Sequence, residues 1–203
     1  MADGIKIEIF KLKNADELTK SLADPESRIE TGGAAALTAA LASSLLERAA
    51  AVTVKALPEN ERADYILRNA EILRTYMVHL IDEDVKCRHP LRRALKEGGE
   101  REIEAARQPA VAIPAEIINM MGQALELAKE LSTLCPKESL HYLGECAELA
   151  MAAIRSARMF IVDMSDKCSD ETYRFIVRRE NEIALKTCTD CAEEILSAVE
   201  AAI

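Results

Sequence analysis

From Thr31 to Leu57 the chain reads TGGAAALTAALASSLLERAAAVTVKAL, with Glu47, Arg48 and Lys55 its only charges and Pro58 directly after it. Ala and Leu are strong helix formers and a Gly pair suits a tight opening turn, so one long helix is predicted. A helix apolar nearly all round either spans a membrane or sits at the centre of a bundle. The run before Glu47 is short for a span of roughly 20 apolar residues, and Ala and Ser contribute little to partitioning into lipid. The expectation is therefore a buried central helix and no membrane partner. Its small side chains let neighbouring backbones approach, so other helices should grip it closely.

The rest of the composition agrees with helices. Of 203 residues, 49% are hydrophobic but only 3% aromatic, with no Trp, a mix that favours helix over sheet in a chain long enough for a sizeable core. A net charge of −9 argues against nucleic acid and against an anionic membrane surface, because both need a basic face. The opening MADGIKIEIF lacks a continuous apolar run of signal-peptide length. The six cysteines are therefore expected as free thiols in a reducing cytoplasm, not as a disulfide framework.

Along the chain, Ile5, Ile7 and Ile9 alternate with Lys6, Glu8 and Phe10, as in a short edge strand, an extended arm over residues 1–14, or the first turn of a helix. Ala15 to Ala23 reads as a short helix capped by Asn14 and broken at Asp24-Pro25. After Pro58, residues Ile66, Ala70, Leu73, Met77, Leu80 and Ile81 form an apolar stripe at steps of three and four. Continued, the stripe lands on Asp84, Cys87 and Leu91, and Pro90 is expected to interrupt or end the helix. Leu91 to Lys96 then reads as a short basic helix before Gly98-Gly99 and the mixed-charge segment Glu100 to Arg107. Pro109 and Pro114 bracket a link, AVAI. Helices follow from about Ala115 to Leu134 and from about Lys137 to Met164, the latter a second Ala-rich central helix. A last helix, capped by Ser169 or Asp170, runs to the C-terminus. The predicted fold is all-α, one domain over residues 1–203 built as a bundle of long helices around two Ala-rich ones.

Several stretches resemble one family. The helix TGGAAALTAALASSLLERAAAVT is similar to the glycine-rich opening helix of the cyclodeaminase/cyclohydrolase family, which begins Pro-Gly-Gly-Gly-Ser and closes near a Val-Thr such as Val52-Thr53. LIDEDVKC, Leu80 to Cys87, resembles that family's Leu-x-Asp-Glu-Asp segment. AVAIPAEIINMMGQALEL and GECAELAMAAIRSA resemble its later helices. The resemblance implies a helical homodimer with a folate site near the subunit interface. It also implies chemistry on tetrahydrofolate: cyclodeamination of the formimino derivative, or hydrolysis of the methenyl derivative, with no cofactor beyond the folate itself. The sequence departs from the pattern at three places. Glu30 and Thr31 stand where the family has glycine, Leu140, His141 and Tyr142 where it has Ser-Asp, and Phe160 where it has Asn. Two alternatives follow: a catalytically degraded folate-binding or scaffold protein on the same dimeric fold, and a plain helical interaction module.

Asp84 is the leading candidate acid/base, because the apolar stripe carries it inward and burial moves a carboxyl toward neutrality. The competing reading pairs it with Arg88 four residues on, as a bridge between helices. Asp82, on another face, and His141, whose ordinary pKa of about 6.5 suits proton transfer, are the further catalytic candidates. Lys86, Arg88, Arg92, Arg93 and Lys96 form the one basic cluster. Arg88, Arg92 and Arg93 suit the folate's glutamate tail, with Thr31, Gly32, Gly33 and Tyr142 as further binding residues. Cys188 and Cys191 make a lone C-x-x-C inside a helix with no second pair, so no metal site is expected and core thiols are the preferred reading.

Overall fold

In the computed structural model, which describes residues 8–202, the 26 residues of the apolar segment form the helix Thr31–Ala56. Among the described residues seven α-helices follow the chain in order: α1 (Ala15–Ala23), α2 (Thr31–Ala56), α3 (Glu61–Glu97), α4 (Glu100–Ala110), α5 (Ala112–Ser132), α6 (Leu140–Asp166) and α7 (Glu171–Glu200). No strand occurs among the described residues. The alternation at Ile5 and Ile7 falls outside them. Ile9 is extended, and Phe10–Leu12 is one 3-10 turn whose Phe10 ring is fully buried.

α2 packs chiefly against α3 and α6. Its Ala35, Ala36, Ala39, Ala42, Ala49 and Ala50 are sealed from solvent, as are Ala147, Ala150, Ala153 and Ala157 of α6. Alanine on both sides of a contact brings helix axes close, so the two Ala-rich helices form the predicted centre. By length and composition alone α2 passes for a membrane span, yet half of that window is buried inside the bundle. Its interior hydroxyls carry no cost in unpaired groups. Ser43 donates to the Ala39 carbonyl at 2.9 Å and Thr53 to the Ala49 carbonyl at 2.8 Å.

Local signals set the ends of several helices. Asn14 and Glu17 make a capping box on α1, Asn60 accepts from the Arg62 and Ala63 amides on α3, and Asp170 accepts from the Tyr173 amide on α7. The prolines act differently from expectation. Pro90 does not end its helix: α3 runs 37 residues straight past it, and the basic stretch Leu91 to Lys96 is its last turns. Pro90 is exposed, as is Lys86, whose carbonyl loses the N–H partner, so water can satisfy that group. Pro109 likewise sits exposed inside α4, and Pro114 lies in the first turn of α5, where no intrahelical N–H is needed. The expected link AVAI is reduced to Val111 alone. On α7 full burial is concentrated in the second half. Cys188, Cys191, Ala192, Ile195 and Val199 are buried, while Phe175 and Ile183 are exposed.

Candidate functional site

The stripe on α3 continues inward as the spacing requires, so Asp84 arrives in the core between α3 and the first turn of α2 with 0% exposure. Two glycines open α2. A Cβ on Gly32 would lie under 3.0 Å from the Asp84 carboxyl carbon and both its oxygens, so the carboxyl rests on the bare Gly32 backbone. Gly33 does different work, because a Cβ there would meet the Ile29 side chain. Both Asp84 oxygens lack a hydrogen-bond partner, and the Arg88 guanidinium stands 3.6 Å away, outside hydrogen-bond reach. Burial pushes the Asp84 carboxyl above the usual carboxylate range. Arg88 opposes that shift, and the Glu30 charge reinforces it.

Arg88 itself is 8% exposed at its side chain and surrounded. Its guanidinium is ion-paired with Glu30, lies 4.0 Å from the centre of the Phe160 ring of α6, and donates weakly to the Thr31 hydroxyl at 3.4 Å. Arg92, one turn further, donates to Glu30 through Nε at 2.8 Å and also to the Arg28 carbonyl. One carboxylate thus holds two arginines. Thr31 is exposed, Glu30 and Arg92 are partly buried, and Arg88 and Asp84 lie within, so the cluster runs from the surface to the core. Its residues come from three separated stretches of sequence: the approach to α2, the middle of α3 and the later half of α6.

Other candidates lie elsewhere. Asp82 faces away from Asp84 and accepts the Phe10 amide at 2.7 Å. It fastens the N-terminal segment to α3 and does not join the Asp84 cluster. Arg93 is exposed and turned off the Arg88–Arg92 side of α3. His141 is exposed at the start of α6, its ring 3.9 Å from that of Tyr142, and Arg48 of α2 stands 4.9 Å over the Tyr142 ring. Arg48 is sixteen residues beyond Gly32, about 24 Å along the helix axis. Within one chain, His141 and Tyr142 therefore sit at the opposite end of α2 from Asp84. Cys188 and Cys191 are buried against α5. Burial pushes the Cys191 thiol up to about 11 and raises Cys188, the opposite of thiolate activation. No cluster of three His, Cys, Asp or Glu able to hold a metal occurs among the described residues.

Sequence reasoning located Asp84 by periodicity and noticed Glu30 and Phe160 as departures, but not that they close on one guanidinium. The available signal was the position of Glu30, the residue directly before a helix whose opening glycines admit a buried acid.

The fold and site define a class: an all-helical bundle in which a glycine at the start of the central helix seats a buried carboxyl, free of hydrogen bonds, from the next. Comparison supports a family. The sequence model described as formiminotransferase-cyclodeaminase matches residues 14–183, and the chain belongs to that family. Its fold matches the crystal structure of formiminotetrahydrofolate cyclodeaminase from Thermotoga maritima with a TM-score of 0.87 and 20% sequence identity, covering 94% of this chain and 98% of that one. A search of curated proteins found no match.

Proposed function

We propose that this protein binds a one-carbon derivative of tetrahydrofolate at the N-terminal end of α2, and that Asp84 moves the proton its chemistry requires. The observation that carries this reading is the Asp84 carboxyl, fully buried, free of hydrogen bonds and seated on Gly32. Burial raises this carboxyl, the direction in which a carboxylic acid becomes able to donate a proton closer to neutral pH. In cyclodeamination of a formimino derivative in its protonated, amidinium form, N10 adds to the formimino carbon, and the C–N bond to the leaving nitrogen then breaks from the tetrahedral adduct. The N10 proton is lost, and an equivalent proton must reach the departing amine so that ammonia leaves. Asp84 gives that proton and recovers the one from N10. In hydrolysis of a methenyl derivative, water adds to the amidinium carbon and gives up both protons, one to solvent and one by way of the same carboxyl to the ring nitrogen, whose C–N bond to that carbon breaks as the formyl carbonyl forms.

A specific observation favours a second reading. Glu30 already satisfies Arg88 and Arg92, the two arginines best placed for a folate's carboxylates. That closure supports a folate-binding or scaffold protein with reduced catalysis. Binding and turnover separate the readings. A ligand that binds only the folded state raises the unfolding temperature. 5-Formyl-tetrahydrofolate is expected to do so, and no shift at millimolar ligand removes the folate assignment. If it binds, following the absorbance of methenyl-tetrahydrofolate separates enzyme from binder. We also infer a cytoplasmic homodimer. Leu41 on α2 and Met159 on α6, 52% and 70% exposed on adjacent central helices, support a subunit contact there, and a monomer on sizing would remove it.

A further inference from the structure

Two carboxylates compete for one guanidinium. Arg88 lies between Glu30, to which it is ion-paired, and Asp84, from which it is 3.6 Å distant. Arg88 is buried with its guanidinium 4.0 Å from the centre of the Phe160 ring, so small displacements of its planar fork set how closely it meets each acid. Arg92 holds Glu30 in place through its own bonds to the same carboxylate and is fixed in turn to the Arg28 carbonyl. We propose that Glu30 is a positioning residue: by keeping the Arg88 guanidinium on its own carboxylate, it leaves Asp84 with a loose 3.6 Å ion pair and no hydrogen bond, free to exchange a proton with a bound ligand. This rests on the reading of Asp84 as the proton-moving group, yet its geometry can be tested without turnover.

The charges bearing on Asp84 are Glu30 from the approach to α2 and Arg88 and Arg92 from α3. The Cys87 thiol beside Asp84 on α3 is itself raised by burial, and α6 contributes the Phe160 ring on the far side of Arg88. In Glu30→Gln the guanidinium loses its preferred carboxylate, and Asp84 is the acid left within a short movement of it. An opposite charge at contact distance lowers a carboxyl by about 1–3 pH units.

The test is a side-chain carboxyl NMR titration with ¹³C-labelled aspartate, the Asp84 signal assigned by its loss in Asp84→Asn. In Glu30→Gln the Asp84 midpoint is expected to fall by at least about one pH unit. In Arg92→Gln, Glu30 is released from its second arginine and draws Arg88 further over, so the midpoint is expected to rise. The lost Glu30 charge lowers Asp84 by itself, so an unchanged midpoint in Glu30→Gln, or a fall no larger than the one the same change gives in an Arg88→Gln background, overturns the proposal. If that variant does not fold, a midpoint in Arg92→Gln that stays constant or falls overturns it equally. A fall in Glu30→Gln together with a wild-type protein inert toward folates keeps the positioning role and removes the catalytic reading, so the two fail separately.

Discussion

Gly32→Ala isolates the contact on which the site is built. The added Cβ would stand under 3.0 Å from three atoms of the Asp84 carboxyl, closer than real Cβ contacts allow, and the carboxyl has no exposed side to retreat to. Overpacking of this kind costs about 1–3 kcal/mol. Against it, replacing glycine by alanine in a helix gains about 0.5–1 kcal/mol; Gly32 has no positive φ, so that gain is available. The net expectation is a loss of about 1–2 kcal/mol, read as a lower urea midpoint at constant slope. In an Asp84→Ala background the obstruction is gone, so the same Gly32→Ala change should be neutral or stabilising. The difference between backgrounds, on the order of 2 kcal/mol, is the coupling between the two positions. An equal effect of Gly32→Ala in both backgrounds would refute the seating of Asp84 on Gly32.

Three further outcomes follow from the same structure. The raised Asp84 carboxyl means that, above an unfolded value of about 3.9, the folded state still holds a proton that the unfolded state has released. Its contribution to stability is therefore full below that pH and is lost as pH rises through the folded value. Asp84→Asn should be more stable than wild type at neutral pH by about 1.4 kcal/mol for each pH unit of upward shift, with the gap closing toward pH 4. Phe10→Ala removes the fully buried ring that anchors the N-terminal segment, at a cost of about 3 kcal/mol. Limited proteolysis near residues 8–14 should accelerate in Phe10→Ala, and in Asp82→Asn if the Phe10 amide bond is what holds the segment. The Cys146 thiol, sealed in the core and pushed up to about 12, should resist maleimide in the native protein while partly buried Cys87 and Cys135 react. Labelling of Cys146 at their rate would contradict its burial.

Periodicity made the architecture readable. The stripe Ile66 to Ile81 on α3 is the buried face, its continuation delivers Asp84, and the Ala-rich runs are the central helices. Prolines misled because their effect depends on exposure. Pro90 is tolerated inside α3 because the Lys86 carbonyl it leaves unpaired belongs to an exposed residue, and no local pattern reveals that. The site was half readable. Asp84 and Gly32 announce themselves by spacing and by the absence of a side chain. The Glu30–Arg88–Phe160 arrangement depends on residues from the approach to α2, α3 and α6 meeting in space. His141 has suitable chemistry, but within one chain its end of α6 packs beside Arg48, about 24 Å along α2 from Gly32.

The most direct test of the account is to follow methenyl-tetrahydrofolate absorbance with wild type and Asp84→Asn side by side, ligand binding being measured separately on both. Loss of a general acid lowers turnover by about 10²–10⁴-fold. The account expects Asp84→Asn to bind 5-formyl-tetrahydrofolate as wild type does and to lose at least about a hundredfold in turnover. Equal turnover by the two proteins would contradict it.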